Sequence, residues 1–209
     1  MDQHKSAVDT VVVTGFGPFG NHSINASMET VKLLPTLEIE KELDIKLILQ
    51  EIPVKYDFVK NRIPKMWELY RPKLMVHVGV SGKARELNLE QQAFNNGYVQ
   101  VDISGCIPDG NVCYVGCEDV IKSGLDMNTV CQTINNSSCG VTSSVSDDPG
   151  RYLCDFTFYN SLCISRKCSA FVHVPSLDQP YSALQLAQAL KVAIAAMLEQ
   201  IRQNDKKAM

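Results

Sequence analysis

Short apolar runs alternate with runs of helical period along the whole chain, and that alternation limits the possible folds more than any other feature. Residues 10–14 (Thr-Val-Val-Val-Thr), 45–52 and 74–78 read as buried strands. Residues 25–34 read as an amphipathic helix with Asn25 or Ser27 near its start. Residues 56–70 form a second helical pattern on Phe58, Ile63, Trp67 and Tyr70, with Pro64 expected to kink it or start a new turn. Later come a helix over 127–134, a strand over 141–145, a helix over 152–163, a strand over 170–174 and a helix over 184–201. The charged tail, 202–209, is expected to fray. The pattern implies a three-layer α/β/α sandwich with a mostly parallel twisted sheet, in a single domain spanning 1–209.

Residues 80–126 break this rhythm. They are rich in Gly, Asn and Asp, and read as an irregular excursion with a small hairpin over the top of the sheet. Long irregular segments of this kind often cover active sites. Ligands in such folds bind beyond the carboxyl ends of the strands. Residues 15–20, residues 79–82, Cys154 and the end of the His173 strand could all share that edge.

Composition removes several function classes. With 209 residues, 45% hydrophobic, the chain can bury a sizeable core. Its formal net charge of -3 with no basic face argues against nucleic acid as a partner. The longest apolar runs fall far short of a membrane span, so no membrane association is expected. Residues 1–6 are polar and lack the apolar segment of a signal peptide, so the expected location is cytoplasmic. The eight cysteines should then remain reduced rather than pair. Zinc fits poorly too. Cys113/Cys117 and Cys163/Cys168 are the close pairs, and neither has a nearby His to complete a familiar ligand set.

Chemistry centres on Cys154, in Asp-Asp-Pro-Gly-Arg-Tyr-Leu-Cys (147–154), where a strand-like run gives way to a helix. A thiol there faces the first free N–H groups of the helix. Those groups and the positive end of the dipole favour the thiolate and could later hold an oxyanion. His173, in Phe-Val-His-Val-Pro (171–175), ends another strand. Singly, each has a plain reading, as a small buried hydrophobe and as a half-buried strand residue. Together they suggest an activated thiol and its base. Glu86 and Glu90 are both candidates for a carboxylate that orients the His, and the pattern alone does not separate them.

Gly-Phe-Gly-Pro-Phe-Gly (15–20) formally contains the dinucleotide fingerprint Gly-x-Gly-x-x-Gly. Pro18 removes a donor, and the loop-like residues 21–25 delay the helix that should bind the pyrophosphate. The better reading is an apolar wall of Phe16 and Phe19 for a small flat ligand.

Read in order, the motifs resemble the pyroglutamyl-peptidase I family of cysteine peptidases. They are Val-Thr-Gly-Phe-Gly-Pro-Phe-Gly (13–20), Ile-Asn-Ala-Ser (24–27), Glu-Ile-Pro-Val (51–54) and His-Val-Gly-Val-Ser-Gly (77–82). Further on are Leu-Glu (89–90), Asn-x-Gly-Tyr (95–98), Gly-Arg-Tyr-Leu-Cys-Asp-Phe-Thr (150–157) and Ala-Phe-Val-His-Val-Pro (170–175). The resemblance implies Cys154 as nucleophile, His173 as base and Glu90 as carboxylate, which selects Glu90 over Glu86. It also implies Phe16, Phe19, Tyr152 and Leu153 as the apolar pocket and Asn25 as the holder of the lactam carbonyl. The implied substrates are small peptides with N-terminal pyroglutamate, hydrolysed without metal or organic cofactor by a monomer or weak homo-oligomer. Two positions depart from bacterial members, Val80 in place of Gln and Cys106 in place of an Arg near the oxyanion. The Cys106 departure and the loosely matching excursion leave a catalytically silent binding protein as the alternative, whereas a backbone contact at Val80 would survive its change.

Overall fold

The computed structural model describes residues 8–20 and 24–208. The elements run β1 (Asp9–Phe16), α1 (Ala26–Lys32), a 3-10 turn (Leu34–Leu37), α2 (Ile39–Leu43), β2 (Ile45–Ile52), α3 (Tyr56–Tyr70) and β3 (Leu74–Val80). They continue with β4 (Leu87–Glu90), β5 (Gln92–Phe94), a 3-10 turn (Asp109–Asn111), β6 (Val120–Lys122), α4 (Met127–Asn135), β7 (Ser143–Ser146), α5 (Leu153–Ile164), β8 (Ser169–Val174) and α6 (Ala183–Ala208).

The main sheet has the order β2-β1-β3-β8-β4-β7. The first four strands are mutually parallel; β4 runs antiparallel to β8 and parallel to β7. The strands alternate their side chains between two cores. Val11, Val13, Val76, Leu87, Leu89 and Val172 face α1, α4 and α6. Val12, Met75 and Phe171 face α3 and α5. Three layers follow from a sheet that is apolar on both faces.

Local chemistry sets the helix ends. The Asn25 Oδ1 accepts from Ser27 N–H (3.1 Å) to cap α1, and Asp126 accepts from Asn128 and Thr129 N–H to cap α4. Pro64 sits inside α3, which runs unbroken from Tyr56 to Tyr70. The expected new turn does not appear.

Three expectations need correction. The excursion is less irregular than its composition suggests. Residues 87–90 join the main sheet as β4, because Leu87 and Leu89 alternate onto one core while Asn88 and Glu90 face the other side. The small antiparallel pair lies between β5 and β6, with residues 95–119 as its long connection. The tail does not fray at 202. Arg202 Nε donates to Asp9 (3.0 Å), its Nη2 to the Leu43 carbonyl (3.1 Å), and Lys73 pairs with Asp205, so α6 continues to Ala208. The short helix α2 was not anticipated.

Candidate active site

Three strand ends bring the site together. A cavity of about 410 Å³ opens where β1, β3 and β8 end, lined among others by Phe16, Val80, Cys154 and His173. Cys154 is the second residue of α5, and Tyr152 is the N-cap. Unlike α1 and α4, α5 begins with no side-chain cap. Its first backbone hydrogen bond runs from Phe156 N–H to the Tyr152 carbonyl (3.0 Å). The N–H groups of Leu153, Cys154 and Asp155 therefore lack helical acceptors. Opposite the sulfur lies Gly79 of β3. A Cβ there would stand 2.8 Å from Cys154 Sγ and 2.8 Å from Phe171 Cζ, so glycine makes the seat for the thiol.

Cys154 neighbours His173 on one side, close enough to favour its charged form. On the other, His173 Nδ1 lies 2.7 Å from Glu90 Oε1. This second contact follows from the antiparallel register. Asn88 is directly opposite His173 and Glu90 opposite Phe171, so Asn88, Glu90 and His173 share one sheet face. Burial opposes a charge on His173. The neighbouring Cys154 and the Glu90 carboxylate outweigh it and raise the imidazolium from 6.5 to about 10. Glu90 is 1% exposed, and its Oε2 has no hydrogen-bond partner among the described residues.

The other buried histidine has the opposite character. His77 is held by Thr14 Oγ1 (2.7 Å) and Ser161 Oγ (2.6 Å), and burial pushes it down to about 3. It is a neutral core residue.

Every pocket residue taken from the motifs lines this one cavity: Phe16, Phe19, Asn25, Tyr152 and Leu153. Asn25 Nδ2 donates to the Gly17 carbonyl (2.9 Å), and its Oδ1 accepts from Ser27 N–H and Oγ–H, so it clamps the turn after β1. One Nδ2 hydrogen is left for a ligand. The Tyr152 hydroxyl donates to the Val101 carbonyl (3.1 Å), tying the excursion to the α5 entry. The glycine turn does not lead into a helix, since α1 begins only at Ala26. Residues 21–23 of the delayed-helix reading lie outside the described residues. Glu86 does not line the cavity.

Neither Cys106 nor Arg85 lines it. Cys106 N–H donates to Asp102 Oδ1 (3.1 Å) in the excursion, and Arg85 donates to the carbonyls of Gly82 and Ala84. Among the described residues no group of three or more His, Cys, Asp or Glu side chains could hold a metal ion. All eight cysteines are free thiols. No helix among the described residues is long and apolar enough to cross a membrane.

Sequence reasoning missed several residues. Asp155 is fully buried beside the nucleophile. Its Oδ1 accepts from Phe94 N–H (2.9 Å) and its Oδ2 from the Tyr98 hydroxyl (3.3 Å), anchoring β5 to α5. Burial raises its carboxyl to about 7 against those hydrogen bonds and Arg151. Lys83 and Asn88 also line the cavity. The period-two spacing of Asn88 and Glu90 was the available signal for Asn88.

Comparison with known proteins shows the family and the fold. The family model described as pyroglutamyl peptidase matches residues 9–202. Human pyroglutamyl-peptidase 1 is 44% identical over 207 residues, covering 99% of this chain and 97% of that protein. The human pyroglutamyl-peptidase 1-like protein is 40% identical over 172 residues, covering 82% and 87%. A mutant pyrrolidone carboxyl peptidase from Pyrococcus furiosus superposes with a TM-score of 0.76 at 26% identity, over 92% of this chain and 99% of that one. Pyroglutamyl peptidase I of Bacillus amyloliquefaciens shares the fold with a TM-score of 0.75 at 21% identity, over 91% and 97%.

Proposed function

The chain belongs to the pyroglutamyl peptidase family, and from that premise we propose that Cys154, His173 and Glu90 hydrolyse the bond after an N-terminal pyroglutamyl residue. The observation that carries this reading is the continuous contact from Glu90 through His173 to Cys154, at an uncapped helix start and at the mouth of a largely apolar cavity.

Pyroglutamate is small, flat and uncharged, with no free amine. Phe16, Phe19, Tyr152 and Leu153 supply the apolar surface it requires. The spare Nδ2 hydrogen of Asn25 donates to the lactam carbonyl. Specificity comes from shape and that one donor, and none of these five residues is a carboxylate that would receive an α-amino group.

The Cys154 thiolate attacks the pyroglutamyl carbonyl carbon, forming a C–S bond and moving the carbonyl electrons onto oxygen. N–H groups of the α5 start, including that of Cys154, stabilise the oxyanion. The tetrahedral intermediate collapses, the C–N bond breaks, and His173 gives its proton to the leaving amine. His173 then takes a proton from water, whose oxygen attacks the thioester. Collapse releases pyroglutamate and returns the proton to the Cys154–His173 pair. Glu90 orients the imidazole and stabilises its charged form through both half-reactions. The eight free thiols suit a reducing compartment, for which the cytosol is our reading.

The test is amine release from a fluorogenic pyroglutamyl-arylamide under reducing conditions, with wild type and Cys154→Ala in parallel. Turnover that vanishes in the variant supports the assignment. A folded, reduced wild type without turnover would refute it.

A further inference from the structure

The strand order ranks the site residues along one line. Phe16 stands on β1, Gly79 with the Cys154 sulfur on β3, His173 on β8, and Asn88 on β4. If the pyroglutamyl ring lies among Phe16, Phe19 and Tyr152, as proposed above, the scissile bond sits at Cys154. The leaving peptide must then pass His173 towards β4 and β7. That half of the cavity differs in character. The lining residues from β4, β7 and the loops beside them are half-buried Asn88 and Ser146 and exposed Lys83 and Asp148.

The polar groups there are mostly engaged; Asn88 Oδ1, Glu90 Oε2 and Lys83 are the exceptions among the described residues. Asn88 Nδ2 donates to Ser144 Oγ (2.9 Å), which leaves Oδ1 without a donor. Asp148 is bonded to Arg151 Nη1 (2.7 Å) and to Gly150 N–H, and Glu90 to His173. Lys83 forms no ion pair among the described residues. It is, with His173, one of the two basic side chains on the cavity wall among those residues. It sits in the turn 81–86 that crosses the end of β8 to reach β4, on the leaving-group side of the base.

We infer that Lys83 is a specificity residue for the leaving group. It attracts a carboxylate on the residue that follows pyroglutamate, either the α-carboxylate of a dipeptide or an acidic side chain. An exposed ammonium gives a modest preference by attraction in water and does not touch the reacting atoms. This inference rests on the peptidase reading and refines it.

The test compares kcat/KM for pyroglutamyl-alanine with its C-terminal amide, and for pyroglutamyl-glutamate amide with pyroglutamyl-glutamine amide. The first pair reports an α-carboxylate and the second a side-chain carboxylate. Wild type should favour the charged member of at least one pair by about two- to fivefold at low salt, carried by KM. Lys83→Gln should bring that ratio to about one, and Lys83→Arg should retain it. Raising ionic strength to about 0.5 M should compress the wild-type ratio in the same way, a readout that needs no variant. A ratio of one in both wild-type pairs, or a ratio that Lys83→Gln leaves unaltered whatever the salt does, overturns the inference and leaves the peptidase reading intact. Wild type inert towards all four peptides and the arylamide overturns both.

Discussion

Gly79 and Cys154 are packed so closely that a single methyl group would not fit between strand and nucleophile. The missing Cβ of Gly79 would lie 2.8 Å from the sulfur. The far side of that space is closed by Phe171, also 2.8 Å from the same point. The thiol is therefore positioned from beneath by the absence of a side chain, while His173 approaches from the neighbouring strand.

Gly79→Ala should cut kcat by about 100-fold, because misplacing a nucleophile by about 1 Å costs that much. The overpacked core should also lose about 1–3 kcal/mol of stability. Single-turnover kinetics and a denaturant titration check the two effects separately. Unaltered turnover would mean that the sulfur can shift without consequence.

Cys154→Ala should abolish turnover, and Cys154→Ser should leave at most a trace, since His173 must then deprotonate a far less acidic hydroxyl. Arylamide hydrolysis by purified, folded variants measures this. Full activity in either one would remove Cys154 from the mechanism.

Glu90→Gln should lower kcat more than it raises KM, because Glu90 touches His173 and not the substrate. It should also move the alkaline limb of the pH–rate profile to lower pH. The neutral amide no longer supports the imidazolium that Glu90 now helps to hold at about 10. A profile superimposable on wild type would make Glu90 a bystander.

His173 should make stability depend on pH over a defined window. The folded state keeps the imidazole proton up to about 10, whereas the unfolded chain releases it near the ordinary 6.5. This contribution is complete below 6.5 and is lost as pH rises through about 10. Cys154→Ala removes the largest favourable cause. The Tm advantage of wild type over Cys154→Ala should therefore shrink between pH 6.5 and 10, by about 2–4 °C per kcal/mol. Parallel Tm curves across that window would contradict the coupling.

Asn25→Asp should separate the two roles of Asn25. The carboxylate still accepts from Ser27 N–H and keeps the α1 cap, but it cannot donate to the Gly17 carbonyl or to a lactam carbonyl. Stability should fall by about 1 kcal/mol or less, while KM for pyroglutamyl substrates rises about tenfold or more. Calorimetry and steady-state kinetics on one sample distinguish these effects. A KM equal to wild type would exclude Asn25 from substrate recognition.

Much of the fold was legible because its elements carry local signals. Strands β1, β3 and β8 are apolar runs buried on both faces, edge strand β2 keeps a run of Ile and Leu, and α3 and α4 have apolar stripes of helical period. Segment β4 was missed because its four residues mix Leu87 and Leu89 with Asn88 and Glu90 inside a stretch rich in loop residues. Its strand character comes from pairing with β8 and β7. The tail of α6 was misread for a similar reason. Arg202 and Asp205 look like solvent-facing charges until Asp9 and Lys73 are brought beside them.

By itself, the order of residues determined the layered architecture, the placement of Cys154 at a helix start and the family motifs around it. These depend on hydrophobic period, on turn chemistry and on residues adjacent in the chain. Tertiary structure alone decided what the site could do with them. Glu90 and His173 are 83 residues apart. An antiparallel register sets them diagonally on one face, and a different register would have pointed the carboxylate elsewhere. The seat at Gly79 and the unpaired Lys83 on the cavity wall likewise exist only once the strands are ordered. Contacts between distant segments are set by which strand lies beside which, and no local propensity encodes that.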